Sequence, residues 1–238
     1  MRKLASKLRE QVEEAEEEMV DVRREDKTIR DFEIPAQLFS EAILQLTSVQ
    51  VVDKHVPVRV PLELTLRKGR RVLLAGPNGI GKSSLLRALA DQTDEGMKIA
   101  PEVKVGYYRQ DFSGLKFDQT VYESLAEVME IESMERLRAV ASEFLLDSKV
   151  IRNTVGSLSE GQKGLLCFAR FVLQGPGLLI LDEPTNHINF RHLPVIARAL
   201  EGYKGAMIVV SHVPDFVKEI RFDETIDLGA ILRRTKLS

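Results

Sequence analysis

The sequence lacks several features that would assign it to a special class of protein. It has a single cysteine, Cys167, so no disulfide can form within the chain, and a reducing compartment is the simplest setting. No apolar run approaches the length of a membrane span, and the N-terminal residues lack the apolar stretch of a signal peptide. The formal net charge is −2, which gives no hint of nucleic acid or an acidic membrane as partner. These absences predict a cytoplasmic protein.

The composition describes a chain that can fold around a substantial core. Its 238 residues are enough for one large domain or two small ones. Hydrophobic residues make up 44% and charged residues 29%, which is the balance of an ordinary globular protein. Cys167 lies in an apolar run with helical character, so we expect a small buried thiol there rather than a nucleophile.

A glycine-rich loop between an apolar strand and a helix carries the clearest chemistry. Residues 71–75 are typical of a buried strand, and residues 84–90 of a helix. The loop reads Gly, four residues, Gly-Lys-Ser; its glycines allow positive φ, and its backbone N–H groups can surround phosphate oxygens. Lys82 brings a positive charge to the outer phosphates, and the Ser83 hydroxyl is a ligand for phosphate-bound Mg²⁺. The predicted nucleotide-binding residues are Gly76, Pro77, Asn78, Gly79, Gly81, Lys82, Ser83 and Ser84.

Two further strands should present the groups that hydrolyse a nucleotide. Residues 178–181 form an apolar run that ends in Asp182 and Glu183. A strand adjacent to the phosphate-loop strand would deliver Asp182 to the Mg²⁺ and Glu183 to the γ-phosphate. There Glu183 could accept a proton from the attacking water. A second apolar run, residues 207–210, leads to His212, which could contact the γ-phosphate or position the water.

The segment Leu158-Ser159-Glu160-Gly161-Gln162 predicts a second helix start that can bind an anion. Ser159 can cap a helix that runs to Leu173, and the amides of Glu160 and Gly161 are then free to bind. A capped helix without a ligand is the default explanation. The other motifs favour a binding role.

The remaining patterns predict an α/β fold. Alternating aliphatic residues over 56–66 indicate a strand with one buried face, and its two prolines indicate an edge strand or a bend. Together with residues 42–52 it predicts a small antiparallel layer. Residues 119–152 have helical spacing, and from residue 178 strands and helices alternate, which indicates a mostly parallel sheet.

The N-terminal residues, 1 to about 27, form a charged stretch with one narrow apolar stripe at helical spacing. A helix this polar is only marginally stable by itself in water, and we therefore expect a partner helix. A solvated, fraying terminus and one half of a helical arm fit this pattern equally. Residues 25–36 predict an extended linker into the globular domain.

In this order the motifs resemble those of the ATP-binding-cassette (ABC) ATPases. Residues 76–83 match the Walker A loop, Gln110 the Q-loop, residues 158–162 the signature motif, residues 178–183 Walker B, and His212 the switch histidine. The resemblance implies a P-loop NTPase fold with a mostly parallel central sheet, an antiparallel β layer and a helical subdomain at about 112–160, in a cassette spanning 36–238 after a linker arm at 1–35. It implies ATP and Mg²⁺ as cofactors.

The same resemblance implies roles for named residues. Those implied to be catalytic are Glu183, His212 and Gln110, and those implied to contact the metal are Ser83, Gln110 and Asp182. Cassettes of this family pair head to tail, so the signature residues of this chain would contact ATP held by a partner cassette; these are Ser159, Glu160, Gly161 and Gln162.

Within the family, residues 183–187, Glu-Pro-Thr-Asn-His, resemble the ABC-F class. That class carries two cassettes on one chain, joined by a charged helical linker that in many members reaches toward tRNA on the ribosome. Residues 1 to 30 resemble the end of such a linker, and residues 36–238 the second cassette. The chain would then be a fragment, a truncated product or half of a split protein.

Several positions depart from the family pattern. Glu160 replaces a glycine of the signature, and Asn189 stands where an aspartate is usual. Val51 and Val52 lie where an adenine-stacking aromatic is often found. Three histidines, His55, His187 and His192, have no partner that the sequence identifies and are expected to be structural or on the surface.

The leading function is an ABC-F-type ATPase that pairs around Mg-ATP and remodels a ribosome-associated target. The alternatives are the ATP-binding subunit of a membrane ABC transporter and an ATP-gated clamp with little hydrolysis, the last prompted by Glu160 and Asn189.

Overall fold

The computed structural model describes residues 27–237. The strands are β1 (Leu44–Asp53), β2 (Val56–Leu66), β3 (Arg71–Ala75), β4 (Met97–Ile99), β5 (Val105–Tyr108), β6 (Leu178–Asp182), β7 (Ala206–Val210) and β8 (Glu224–Asp227). The α-helices are α1 (Lys82–Asp91), α2 (Val121–Ala126), α3 (Met134–Glu143), α4 (Glu160–Gln174), α5 (Leu193–Gly202), α6 (Pro214–Lys218) and α7 (Leu228–Thr235). Short 3₁₀ turns lie at Val150–Arg152, Val155–Ser157 and Phe190–His192.

A parallel sheet forms the centre, with the strand order β5-β6-β7-β3-β8. All residues of β6 and β7 are buried, because α4 and α5 pack on one face of the sheet and α1 with the antiparallel strands on the other. Side chains of β6 alternate between the two cores: Leu179 and Leu181 face one core, and Leu178 and Ile180 the other.

The prediction that β6 lies next to the phosphate-loop strand β3 is wrong. β7 pairs with both β3 and β6 and therefore separates them. β6 and β7 are both fully buried, mostly apolar strands, so their composition does not distinguish their positions in the sheet. The carboxyl ends of all three strands still meet at one edge, because the strands are parallel.

A three-stranded antiparallel sheet, β2-β1-β4, covers one core. β2 is an edge strand, as its prolines Pro57 and Pro61 predict, and they pair with Val52 and Ser48 of β1. An irregularity between Leu46 and Ser48 shifts the register of the pairing. With its parallel and antiparallel sheets and covering helices, the structure confirms the α/β class.

The predicted helical region around 119–152 consists of α2, α3 and the first 3₁₀ turn. Thr120 caps α2 in a capping box with Glu123, and its backbone bridges to Thr154. Apolar side chains of this region pack against the long helix α4 in one core, among them Val121, Leu125, Leu137 and Phe144. Cys167 of α4 is buried there as predicted, and burial raises the pKa of its thiol to about 12.

Residues 27–37, here called the strap, run without helix or strand along the globular body. Ile29 and Ile34 are buried, and the Phe32 ring lies 4.7 Å from that of Phe144 and 6.2 Å from that of Phe168. The charged helix predicted from the N-terminal stretch falls on residues 1–26, outside the described residues.

Candidate functional site

The phosphate loop connects β3 to α1, as the motif predicts. Gly76, Gly79 and Gly81 have φ of 142°, 80° and 99°, a region that side-chain-bearing residues rarely adopt. Gly81 occupies the N-cap of α1 without a side-chain cap, so the first N–H groups of this helix remain available to a ligand. Pro77, Asn78 and Gly79 are exposed at the tip of the loop. The loop thus presents backbone donors toward the carboxyl edge of the sheet.

Lys82 is buried and folds back over the loop. Its Nζ donates to the carbonyl oxygens of Gly76, at 2.8 Å, and Pro77, at 3.3 Å. These carbonyl oxygens take the acceptor positions around the ammonium that phosphate oxygens would occupy. The side chains of Ser83 and Ser84 follow on the exposed start of α1. A cation next to a helix start without a side-chain cap suits a polyphosphate.

Asp182, at the end of β6, is the most constrained carboxylate of the site. It is 3% exposed, and its Oδ1 has no hydrogen-bond partner among the described residues. Burial raises the pKa of Asp182; the neighbouring Glu183 carboxylate raises it further, whereas the Ser83 hydroxyl and the Lys82 ammonium lower it. A buried carboxylate with a free oxygen beside a hydroxyl fits Mg²⁺.

The structure thereby brings Asp182, Ser83 and Lys82 together, although β7 lies between β6, which carries Asp182, and β3, which leads to the phosphate loop. Within residues 27–237, no group of three or more His, Cys, Asp or Glu side chains could hold a metal ion. Mg²⁺ usually needs only one or two carboxylates, because waters and substrate phosphates complete its shell. The residues present therefore fit Mg²⁺ bound together with a nucleotide.

Glu183 and His212 also meet, because β6 and β7 are neighbours. The Glu183 Oε2 accepts from the backbone N–H of His212 at 3.1 Å, and its Oε1 lies 3.3 Å from the His212 Nε2. Glu183 adopts φ of 50°, held by its N–H bond to the Val210 carbonyl oxygen. A non-glycine residue in this conformation is uncommon and is found at functional sites, where the surrounding structure fixes it. The carboxylate is therefore held in one place beside Asp182.

The structure does not join Gln110 to this group. It follows β5 at the same edge of the sheet, but its side chain is exposed, and within the described part of the chain it makes no hydrogen bond to the other site residues. Its neighbour Arg109 donates to Asp91 at 2.8 Å and lies over the Tyr107 ring. The role of Gln110 stays a prediction.

The signature helix α4 begins as its sequence predicts. The Ser159 hydroxyl accepts from the Gln162 N–H at 3.2 Å, and the Gln162 side chain accepts from the Ser159 N–H at 3.0 Å. The Glu160 carboxylate lies 2.6 Å from the Nδ1 of His187, so this histidine has a partner that the sequence did not reveal. His192 is structural, since its Nδ1 accepts from the Ile29 N–H.

A cavity of about 540 Å³ opens beside this helix start. Its lining includes Ser159, Gly161, Gln162, His187 and Asn189, and no residue of the phosphate loop. The two helix starts that the sequence predicts to bind anions, α1 and α4, therefore do not share this cavity.

Of the two valines near the expected place of an adenine-stacking residue, only Val52 lies beside the phosphate loop. Val51 is fully buried in the core beneath the antiparallel sheet, so it cannot face a nucleotide. Val52 packs against the phosphate loop: its N–H donates to the Ile80 carbonyl oxygen, and its Cγ2 would lie 3.5 Å from a Cβ at Gly81.

Comparison with known proteins places these features in a family. The family model described as ABC transporter matches residues 60–186. Probable ATP-binding protein YbiT of Escherichia coli O157:H7 is 33% identical over 209 residues, which cover 86% of this chain and 39% of that protein. ATP-binding cassette sub-family F member 2 of Bos taurus is 35% identical over 162 residues, which cover 63% and 25%. Elongation factor 3 of Candida glabrata is 34% identical over 158 residues, which cover 66% and 15%.

A solved structure shares the fold. A bacterial Atm1-family ABC exporter with ATP bound superposes with a TM-score of 0.63 at 21% identity, over 91% of this chain and 44% of that chain. The chain thus spans less than half the length of each of these proteins. Across residues 27–237, no helix combines the length and the apolar character needed to cross a membrane.

Proposed function

Since the chain belongs to the ABC transporter family of P-loop ATPases and resembles its sub-family F members, we propose that it binds Mg-ATP at residues 76–84 and hydrolyses it in a pair of cassettes. The observation that carries this proposal is the buried Asp182 carboxylate, whose Oδ1 has no hydrogen-bond partner within residues 27–237 and lies near Ser83 and Lys82. A buried carboxylate oxygen that accepts no hydrogen bond costs stability, and a bound cation would offset that cost.

Asp182 and the Ser83 hydroxyl would hold Mg²⁺, and the bound ion would neutralise phosphate charge. The chain supplies the remaining functions itself. Lys82 exchanges its two loop carbonyls for phosphate oxygens, and the N–H groups at the start of α1 hold the same anion. Binding is therefore a property of a single cassette.

Glu183 is the proposed general base. Its carboxylate is held by the His212 N–H and imidazole at the carboxyl ends of β6 and β7, where an attacking water would approach the γ-phosphate. His212 is more exposed than Glu183, with 56% of its side chain in solvent against 10%, so it is free to turn toward the phosphate. The pair can therefore accept a proton from water and keep that water in place.

Hydrolysis is proposed to require a second cassette. The signature residues Ser159 and Gly161 line a cavity that excludes the phosphate loop, so they are available to the nucleotide of a facing cassette. That cassette is either a second copy of this chain or another cassette of a longer protein. Two of the relatives support the second possibility, because each is several times longer than the matched segment.

For the target, we propose a ribosome-associated particle contacted by the N-terminal arm. The motif at 183–187 and the similarity to sub-family F member 2 and to elongation factor 3, a translation factor by name, support this choice. Closure of the cassette pair around ATP would change the fit of the arm, and hydrolysis would release it.

The test uses the Glu183→Gln variant, which removes the base and keeps the metal ligand Asp182. With Mg-ATP it should form a stable pair in size-exclusion chromatography and co-sediment with ribosomes in sucrose gradients. Lys82→Ala, which loses the phosphate contact, is the control and should remain single. A Glu183→Gln protein that never pairs refutes the cassette mechanism, whereas one that pairs but stays out of the ribosomal fractions refutes the target alone.

The clamp is the second candidate, and Glu160 favours it. A carboxylate at the signature position would repel the phosphate of a facing nucleotide and slow closure. Steady-state phosphate release separates the two functions. If the wild-type protein is a clamp, it binds ATP but releases phosphate no faster than the Lys82→Ala control. Co-purification with an integral membrane protein would instead favour a transporter subunit.

A further inference from the structure

The segment that follows the proposed base packs closely against the signature helix. The carbonyl oxygen of His187 would lie 3.1 Å from a Cβ at Gly161, and the Ile188 side chain 3.0 Å from a Cβ at Gly164. These glycines are three residues apart and lie on one face of α4. Any larger residue at either position would push residues 187–188 away. Because both glycines lack a side chain, His187 can lie this close to the start of the helix.

The side chain of His187 uses this position to hold Glu160. Nδ1 and the carboxylate Oε2 are 2.6 Å apart, a short charge-assisted hydrogen bond in which Nδ1–H donates. The two side chains are 39% and 63% exposed, and surface pairs of this kind add little to folding stability. Their contact therefore needs an explanation other than stability.

Charge at the first turn of α4 gives that explanation. Glu160 is the first residue of the helix, where its carboxylate can turn toward the free N–H groups and compete with an anionic ligand. Its contact in the described part of the chain is with His187, and the capping hydrogen bonds of this helix start come from Ser159 and Gln162.

We propose that His187 is a positioning residue that keeps the Glu160 carboxylate away from the α4 N-terminus, so that this helix start can receive the triphosphate of a facing cassette. This inference rests on the proposed pairing of cassettes. It makes Glu160 compatible with pairing, through a residue from another segment of the chain.

The experiment measures ATP-driven pairing in the Glu183→Gln background by analytical ultracentrifugation over a range of Mg-ATP concentrations. Adding His187→Ala should raise the ATP concentration for half-pairing about tenfold, since a freed carboxylate repels the phosphate. A triple variant that also carries Glu160→Gln should return to within about twofold of the background, because no charge remains to be held.

His187→Asn is the matched conservative variant. Asparagine tolerates the positive φ of this position, 66°, and its amide N–H can replace the Nδ1–H donor. It should pair at nearly the ATP concentration of the background. ATP binding to the single cassette, measured with a fluorescent analogue below the pairing concentration, should be the same in all variants.

Each outcome decides the matter. If His187→Ala pairs as the background does, or if removing the Glu160 charge fails to restore pairing, the positioning role is refuted. If the Glu183→Gln background itself never pairs, the proposed function fails and this inference fails with it.

Discussion

Acid should loosen the strap through His192. The Nδ1 of this buried imidazole accepts from the Ile29 N–H at 3.4 Å, so the neutral ring carries its proton on Nε2. Burial, and then the positive charge of Arg191, lowers the pKa of His192 below its usual value. Protonation would place a second donor opposite the Ile29 N–H and a charge in the core.

The sign follows from linkage. With its pKa lowered in the folded state, His192 binds a proton more readily in the unfolded chain, whose pKa is about 6.5. Its contribution is complete above about pH 6.5 and is lost as the pH falls from there toward the folded pKa. The free energy of unfolding falls through this one group by at most about 1.4 kcal/mol per pH unit. For a chain of this size, 1 kcal/mol corresponds to a fall in Tm of about 2–4 °C.

His192→Asn isolates this effect, because the Asn Oδ1 can accept from the Ile29 N–H but does not titrate. We expect the free energy of urea unfolding to fall more steeply for the wild type than for the variant between pH 6.5 and 5.5. The other three histidines are present in both proteins, so their contributions cancel in the difference. Hydrogen exchange at the Ile29 amide should accelerate over the same interval in the wild type only. Parallel pH profiles for the two proteins would refute the reasoning.

Three further predictions concern the site and the core. Asp182→Asn should fold but lose most of the thermal stabilisation that Mg-ATP gives the wild type, and EDTA should abolish the same stabilisation in the wild type; an unchanged shift would contradict its role as a metal ligand. Gly106→Val should cost about 1–3 kcal/mol in urea unfolding, because a Cβ there would lie 2.9 Å from a Leu179 methyl, whereas Gly202→Ala, with nothing within 4 Å, should have little effect. Arg71→Met should cost about 3 kcal/mol, since the buried guanidinium donates to three carbonyl oxygens and to the Glu201 carboxylate, and a neutral result would show that solvent replaces it.

The sequence predicted those parts of the site that are built from local structure. The phosphate loop, the cap at Ser159 and the strand ends carrying Asp182 and Glu183 each follow from a short pattern whose geometry is fixed by neighbouring residues. What it could not predict is which segments become neighbours. β6 and β7 have equivalent apolar sequences, so the place of β7 beside β3 is decided by how the helices pack.

The elements and contacts that were missed have a similar cause. β8, Glu-Thr-Ile-Asp, lies at the sheet edge and is mostly exposed, so it lacks the apolar run by which a strand is identified. The contact between Glu160 and His187 joins residues far apart in sequence and has no local signal. The only indication available was negative, namely that a charged residue replaced a glycine in a ligand-binding motif.

The strap gives the molecule a defined response to mechanical load. Its anchors follow one another along the chain: Ile29 on His192, Asp31 on Arg198, Phe32 on the aromatic rings, Ile34 in the core and Gln37 on the Pro176 carbonyl oxygen. A force applied at residue 27 would reach these anchors in series and break them one at a time, beginning at His192. Such unzipping needs less force than shearing all contacts at once, so we expect a pull from the N-terminal side to detach the strap before it deforms the proposed nucleotide site.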